Sequence, residues 1–369
     1  MKKKIFKIII LICISVSLVG CFNYMEINNI TFVTSVIFDI DEYDNTIMYL
    51  DCVAPYRNAN ESSDKGKRIV FEGRGKTALE AMRKVNVDSS NDLNFSQVRA
   101  YIFTENVLLK GVDKYLDLIE NNQQLSYKTY MFAYFGDIEA LLDVHNNDEE
   151  YLGLYLDNLI EMNKKNAQVI SSNVSDYITN SIESPNICTM SMINLKQDLV
   201  EKKILLDGAV VMQDNRMIDT MNLRDTLAYN LLTNKNLKEG TFQVTNPNNA
   251  EQFISLDILD NYNKQGIRIE NDIIYLDEYI RVRTSIGEVQ GNYSIDDSTM
   301  NTIKEEQEEK LQKVFIKLFE EYRDKGIDIL RIKELIDRYY PNYNSDDYLS
   351  KVKIIPEIEI IIDGRSISR

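Results

Sequence analysis

The chain of 369 residues contains no tryptophan and only one histidine, His145. Protein zinc sites are built mainly from histidine and cysteine, so a zinc centre is nearly excluded. A Ser-His-Asp triad would have to use His145, which follows a predicted helix in the polar stretch 143–148. A solvent-exposed histidine is the simpler interpretation there. The sequence therefore offers little for metal-dependent or nucleophilic catalysis.

Cysteine is also scarce, with four residues in the whole chain. Cys13 and Cys21 lie at the N-terminus, which leaves Cys52 and Cys188 for the remainder. These two can pair in principle, but two cysteines are no disulfide framework for a chain of this length. We expect both to be small, buried hydrophobic residues.

Glycine and proline are few, at 14 and 5 residues, which argues against a flexible stalk and for continuous secondary structure. Phosphate-binding fingerprints are missing: the segment 73–77 (GRGKT) ends like a P-loop, but Val70 stands where the first glycine is needed. The pairs Asp39/Asp41 and Asp296/Asp297 resemble glycosidase carboxylates, yet such pairs are expected by chance among 58 acidic residues. We predict no catalytic site, no cofactor and no metal.

The N-terminus carries the strongest motif of the sequence. Four lysines in the first seven residues precede the apolar run 8–19, which is short for a membrane span. The tetrapeptide 18–21 (LVGC) then has the pattern of a bacterial lipobox. Residues 1–20 are therefore a predicted lipoprotein signal peptide, and Cys21 a predicted N-palmitoyl, S-diacylglycerol cysteine. A plain secretory signal and an uncleaved anchor helix are the alternatives.

Charge limits the partners of the mature chain. Removal of the signal takes away four lysines and no acidic residue, which lowers the formal charge from −16 to −20. Such an acidic protein is a poor candidate for binding nucleic acid or an anionic lipid surface. We expect the acyl chains to hold it on the outer face of the cytoplasmic membrane despite this charge. No later segment reaches 18 apolar residues, so no second membrane span is predicted.

The hydrophobic pattern predicts a multi-domain α+β protein. Residues 21–200 are predicted to contain a mixed α/β domain, ending in a connection over 163–203 where Ser, Asn and Thr accumulate. Residues 201–369 are predicted to form a second α+β domain with an antiparallel sheet and long helices. Predicted strands are 31–39, 46–54, 69–73, 98–104, 127–135, 204–212, 216–220, 253–258, 267–276, 279–289 and 352–362. Predicted helices follow Thr77 and Asp296, or cover 112–119, 138–144, 223–231 and 328–339.

Several segments resemble one known family. The opening 21–28 (CFNYMEIN) and the strand 36–41 (VIFDID) are similar to the start of the spore germination lipoproteins, the C subunits of nutrient germinant receptors (GerAC/GerBC type). Other similar segments follow in the family's order: 75–83 (GKTALEAMR), 94–99 (NFSQVR), 111–117, 206–211, 217–219, 340–341 and 358–365. Phe22, Asn23, Ile37 and Gln97 stand where the family usually has Trp, Asp, Gly and His. The resemblance thus covers most of the chain with diffuse motifs.

This resemblance implies a non-enzymatic, lipid-anchored subunit of a receptor that triggers spore germination. It implies two polytopic membrane partners, an A subunit and a permease-like B subunit, in the spore inner membrane. The alternative is an extracytoplasmic solute-binding lipoprotein of an importer, which needs strand-helix alternation in both halves of the chain. A cell-wall hydrolase is a third interpretation, which the missing motifs disfavour.

Overall fold

The computed structural model describes residues 29–54, 66–144, 149–183, 185–198, 202–247, 249–291 and 296–365. The strands are β1 (Ile30–Ile40), β2 (Thr46–Ala54), β3 (Lys67–Gly75), β4 (Asp92–Asn94), β5 (Ala100–Thr104), β6 (Tyr130–Tyr134), β7 (Ile187–Gln197), β8 (Lys202–Gln213), β9 (Arg216–Met221), β10 (Thr241–Asn246), β11 (Asn249–Glu270), β12 (Ile273–Val289) and β13 (Val352–Arg365). The helices are α1 (Ala78–Asp88), α2 (Glu105–Lys110), α3 (Asp113–Asn121), α4 (Ile138–Leu142), α5 (Leu152–Asn163), α6 (Val174–Ile182), α7 (Leu223–Thr233), α8 (Asp297–Asp324) and α9 (Ile332–Tyr339).

Among the described residues, nine strands form one mixed sheet in the order β3-β2-β1-β5-β6-β7-β8-β9, with β4 beside the start of β1. The central strands β1, β5, β6 and β7 are parallel, and antiparallel strands flank them on both sides. Helices cover both faces: α1, α2, α3 and α6 pack on one, and α4 and α5 on the other. Central strands buried on both faces explain the continuous apolar runs in the sequence.

A second sheet has the order β10-β11-β12-β13. Its first three strands are antiparallel, whereas β13 runs parallel to β12. The 28-residue helix α8 crosses one face and buries Leu311, Phe315 and Phe319. Asp296 caps this helix, since its carboxylate accepts a 2.8 Å hydrogen bond from the Thr299 amide. The predicted start of the long helix is therefore confirmed.

One hydrophobic core joins the two sheets. It combines Val211 and Met221 from the first sheet with residues of α7, α8, α9 and the second sheet. The α+β class is confirmed, and β13 lies at the edge of its sheet. The parallel course of β13 departs from the predicted antiparallel arrangement. Within the described part of the chain, no helix is long and apolar enough to cross a bilayer.

The predicted connection over 163–203 is wrong. This stretch contains the end of α5, the helix α6 and the strand β7, and β7 pairs with β8 across the predicted boundary at 200/201. The predicted strands 204–212 and 216–220 therefore belong to the first sheet as β8 and β9. The division into 21–200 and 201–369 stays a prediction about independent folding units.

The predicted helix after Thr77 is confirmed, and a capping box begins it. The Thr77 hydroxyl accepts a hydrogen bond from the Glu80 amide at 3.1 Å, and the Glu80 carboxylate accepts one from the Lys76 amide at 2.8 Å. Because such a cap satisfies amides that have no partner within the helix, Thr77→Ala should lower the free energy of unfolding by about 1 kcal/mol in urea denaturation. Thr302→Ala, inside α8, removes a hydroxyl that caps nothing and should change it by less than about 0.5 kcal/mol. Equal losses in the two variants would contradict the capping role.

Candidate functional site

Cys21, the predicted lipidation site, and His145 lie outside the described residues. The described body begins at Asn29, directly before β1. Since a chain extends by at most about 3.5 Å per residue, the start of β1 at Ile30 lies within about 32 Å of the Cys21 backbone. This end of the first sheet is therefore the end that a lipid on Cys21 would hold near a membrane.

The acidic pairs considered from the sequence have structural roles. Asp39 accepts a 2.6 Å hydrogen bond from the Thr104 hydroxyl. Asp41 closes the β1–β2 turn, where hydrogen bonds from Asn45 lower the pKa of its carboxyl. The amide of Thr299 likewise lowers the pKa of Asp296. Within the described ranges, no three His, Cys, Asp or Glu side chains lie close enough together to hold a metal ion.

The P-loop-like segment 73–77 is a packing feature. A Cβ on Gly73 would lie 2.4 Å from the Ala81 carbonyl oxygen, and one on Gly75 would lie 2.6 Å from the Ala81 amide nitrogen. Both glycines allow α1 to lie directly against β3. The segment that resembles the germination family thus encodes a close strand-helix contact and a helix cap rather than a phosphate site.

The two cysteines of the described body are free and buried, as predicted. Cys52 is completely inaccessible, and burial raises the pKa of its thiol. Burial also raises the pKa of the Cys188 thiol to about 12, and its Sγ lies 3.4 Å from the Tyr177 carbonyl oxygen. Because a reactive cysteine needs a thiolate, both residues are unreactive packing groups.

A buried ion pair that the sequence analysis missed joins β2, β3 and α5. Asp51 is 0% exposed and accepts a 2.5 Å hydrogen bond from Arg68 Nε. Its carboxylate also accepts hydrogen bonds from the Leu152 amide at 2.7 Å and the Thr34 hydroxyl at 3.0 Å. Arg68 donates further to the Val144 carbonyl oxygen at 3.3 Å. The carboxylate therefore fixes the start of α5 on the sheet.

Breaking the Asp51–Arg68 pair should lower the free energy of unfolding far more than breaking an ion pair on the surface. Asp51→Asn keeps an acceptor for Leu152 but leaves the Arg68 guanidinium, 8% exposed, without its counter-charge. We expect the free energy of unfolding to fall by about 3 kcal/mol in urea denaturation. Asp363→Asn removes the partner of the exposed Arg283 and should cost under about 1 kcal/mol. Equal costs would show that burial adds nothing to the Asp51 pair.

The second sheet carries polar side chains on its buried face. Asn261 and Asn263 of β11 donate to the Asn234 carbonyl oxygen, at 2.6 and 2.9 Å, at the end of α7. Further along the same strand, Gln265 donates a 2.8 Å hydrogen bond to Glu278 of β12. Glu278 is 1% exposed, and burial raises the pKa of its carboxyl to about 8. The carboxyl is therefore largely protonated at neutral pH.

Arg331 connects the two halves of the chain. It precedes α9 with a left-handed backbone (φ 57°), and its guanidinium donates to Asn180 at 2.5 Å and to Glu183. Both acceptors lie at the end of α6, so this side chain crosses from the second half to the first. No pattern in the sequence indicates this contact, because the partners are about 150 residues apart.

Comparisons with known proteins agree with this architecture. A family model described as "Spore germination protein N-terminal domain" matches residues 23–195, and one described as "Spore germination B3/ GerAC like, C-terminal" matches 207–365. Spore germination protein GerQC of Bacillus cereus is 21% identical over 346 residues, covering 94% of each chain. Putative spore germination protein YfkR of Bacillus subtilis is 24% identical over 259 residues, covering 68% of this chain and 67% of that one. The crystal structure of the GerBC protein has the same fold, with a TM-score of 0.57, 13% identity, and coverage of 89% of this chain and 96% of that chain.

Proposed function

The chain belongs to the GerAC family of spore germination proteins, and from this membership we propose that it is the lipid-anchored, non-enzymatic C subunit of a nutrient germinant receptor. The observation that supports the proposal most is the order of parts along the chain. A lipobox cysteine at position 21 stands directly before the family's N-terminal domain, which begins at residue 23. The folded body thus starts where a membrane anchor would end.

The partners in this proposal are two polytopic membrane proteins, an A and a B subunit, in the spore inner membrane. The acyl chains on Cys21 hold the body against the outer face of that membrane. Confinement to one surface raises the effective concentration of the body near its partners, so that a weak docking contact persists. The acidic body, with a formal charge of −20 after signal removal, has little attraction of its own for anionic lipids.

The architecture disfavours the solute-binding alternative. Importer-associated binding proteins are built from two doubly wound lobes, each with strand-helix alternation. Here the second sheet is formed by the consecutive strands β10, β11 and β12, followed by two helices and β13. A hydrolase would need a catalytic cluster, and three of the four acidic residues considered for that role are engaged otherwise: Asp296 caps a helix, Asp41 closes a turn and Asp39 binds the Thr104 hydroxyl.

Co-purification from spores tests the proposal. We expect that a C-terminally tagged chain, isolated from detergent-solubilised spore inner membranes, carries two polytopic membrane proteins in fixed proportion, identified by mass spectrometry. Spores lacking the chain should lose germination toward one class of nutrient while responding to others. A tagged chain that emerges alone, from spores that germinate normally without it, would contradict the proposed role.

A further inference from the structure

A polar cavity of about 330 Å³ lies where the two halves of the chain meet. Its walls come from β7 and α6 in the first half and from α7, β11 and α9 in the second. This volume falls at the lower end of the range for small-molecule sites, which are commonly found at the interfaces of domains. The cavity is independent of Cys21 and of the receptor role proposed above.

Hydroxyl and amide groups dominate the polar part of the lining. Protein atoms surround Tyr229 of α7, and the part of its surface that stays accessible faces the cavity. Its hydroxyl lies beside the hydroxyls of Thr189 and Thr233, which also line the cavity. The amides of Asn180 and Gln265 stand on two further walls. Uncharged donors and acceptors therefore converge on the space from four different elements.

The charged side chains of the lining already take part in ion pairs, one of them with Glu183 outside the lining. Arg331 pairs with Glu183 and, at 3.2 Å, with Glu334. Arg338 pairs with the same Glu334. An anionic ligand would compete with these carboxylates for the two arginines, whereas an uncharged one could bind the hydroxyls and amides and leave the ion pairs intact.

Two features of Arg331 carry a cost in folding free energy that packing alone does not explain. Arg331 holds a left-handed backbone, which costs a non-glycine residue about 1 kcal/mol or more. Its Nε atom is also buried without a hydrogen-bond partner. Strain and unpartnered polar atoms of this kind concentrate at binding sites.

We propose that this cavity binds a small, uncharged, polyhydroxylated molecule of about monosaccharide size. Thr189, Tyr229 and Gln265 hydrogen-bond its hydroxyl groups, and the apolar side chains of Leu330 and Leu335 cover one of its faces. Because the walls belong to both halves of the chain, an occupied cavity holds α9 and β7 in one relative position.

Calorimetric titration of the full lipoprotein in detergent tests the proposal, with D-ribose, D-glucose and D-sorbitol as probes. At least one probe should bind with a Kd below about 10 mM. Thr189→Val and Tyr229→Phe each remove one hydroxyl at nearly constant volume and should each weaken that binding about 5-fold. Thr220→Val, the same change on the exposed side of β9, should leave the Kd unchanged.

Glycine and acetate serve as zwitterionic and anionic comparison probes and should bind at least about 10-fold more weakly than the best sugar. The proposal fails if none of the three polyhydroxylated probes binds, or if glycine or acetate binds better. It also fails if a sugar binds equally well to the wild type, Thr189→Val and Tyr229→Phe, since the site would then lie elsewhere. The melting temperatures of the ligand-free variants establish that each is folded.

Discussion

Loss of the Cys21 thiol should transfer most of the protein from the membrane to the soluble fraction. We expect this result for the double variant Leu18→Ala/Cys21→Ala. Cys21→Ala removes the acylation site, and Leu18→Ala supplies the small residue that an ordinary secretory cleavage site needs three positions before the cut. The single variant Cys21→Ala is less informative, because an uncleaved signal could itself act as an anchor.

The expected effect is large because acyl chains partition at about 0.8 kcal/mol per buried CH₂ group. Two chains of ordinary length therefore contribute well over 10 kcal/mol, and the acidic body supplies no compensating attraction. Fractionation of spore membranes with immunoblotting should show nearly all of the wild type in the membrane and nearly all of the double variant outside it. Germination toward the receptor's nutrient should fall in parallel.

Cys13→Ala is the matched control, since it removes a thiol from the same signal segment without touching the lipobox. This variant should behave as the wild type does. Mass spectrometry of the mature N-terminal peptide should show the mass of a diacylglyceryl group on Cys21. A bare Cys21 thiol, or normal germination from spores in which the double variant is soluble, would refute lipid anchoring as the basis of function.

Helix starts and linear motifs were predictable from the sequence, because they depend on residues that are neighbours along the chain. The helix starts predicted after Thr77 and Asp296 both involve cap partners within four residues along the chain. Such features need no knowledge of the fold. The predicted lipobox is also a pattern of neighbouring residues, and lipidation of Cys21 stays a prediction.

The second sheet shows why the extent of its strands and the position of its hairpin turn were not predictable from the sequence. Residues 259–266 read as a loop because polar side chains interrupt the apolar pattern, yet they continue β11. Asn261 and Asn263 are buried there because they bind the end of α7, so hydrogen bonds replace hydrophobicity as the reason for burial. The hairpin turn lies instead at Asn271–Asp272, where both residues are left-handed.

The connection predicted over 163–203 failed for a related reason. The accumulation of Ser, Asn and Thr predicts a linker, but Asn173 caps α6 by accepting a hydrogen bond from the Asp176 amide at 2.9 Å. Asn230 is also 4% exposed and donates to the carbonyl oxygens of Ala167 and Val169 at 2.9 Å. Asn173 thus begins a helix within the first half, and Asn230 joins the two halves. Composition alone cannot separate that role from solvent exposure.

Replacing Glu278 with glutamine should stabilise the protein, and increasingly so as the pH rises. Burial raises the pKa of the Glu278 carboxyl from 4.5 to about 8, and the hydrogen bond from Gln265 only partly opposes this shift. Between these two values the folded chain holds a proton that the unfolded chain has released. Stability therefore falls as the pH rises through this window and levels off above about 8.

Each pKa unit corresponds to about 1.4 kcal/mol, so the burial of Glu278 costs about 4–5 kcal/mol of stability above pH 8. Glu278→Gln has no proton to lose and keeps an acceptor for Gln265. Its advantage over the wild type in urea denaturation should be near zero at about pH 5, and should approach 4 kcal/mol at about pH 9. Other titrating groups are common to both proteins and cancel in the difference.

Glu288→Gln, the same substitution at an exposed position of β12, should change stability by less than about 0.5 kcal/mol at every pH. If Glu278→Gln instead destabilises the protein at neutral pH, Glu278 is ionised there in the folded state and a cation must neutralise it. Since the Glu278 side chain is only 1% exposed, that cation would have to be buried beside it. The sign of the pH-dependent difference thus distinguishes a protonated carboxyl from a paired carboxylate.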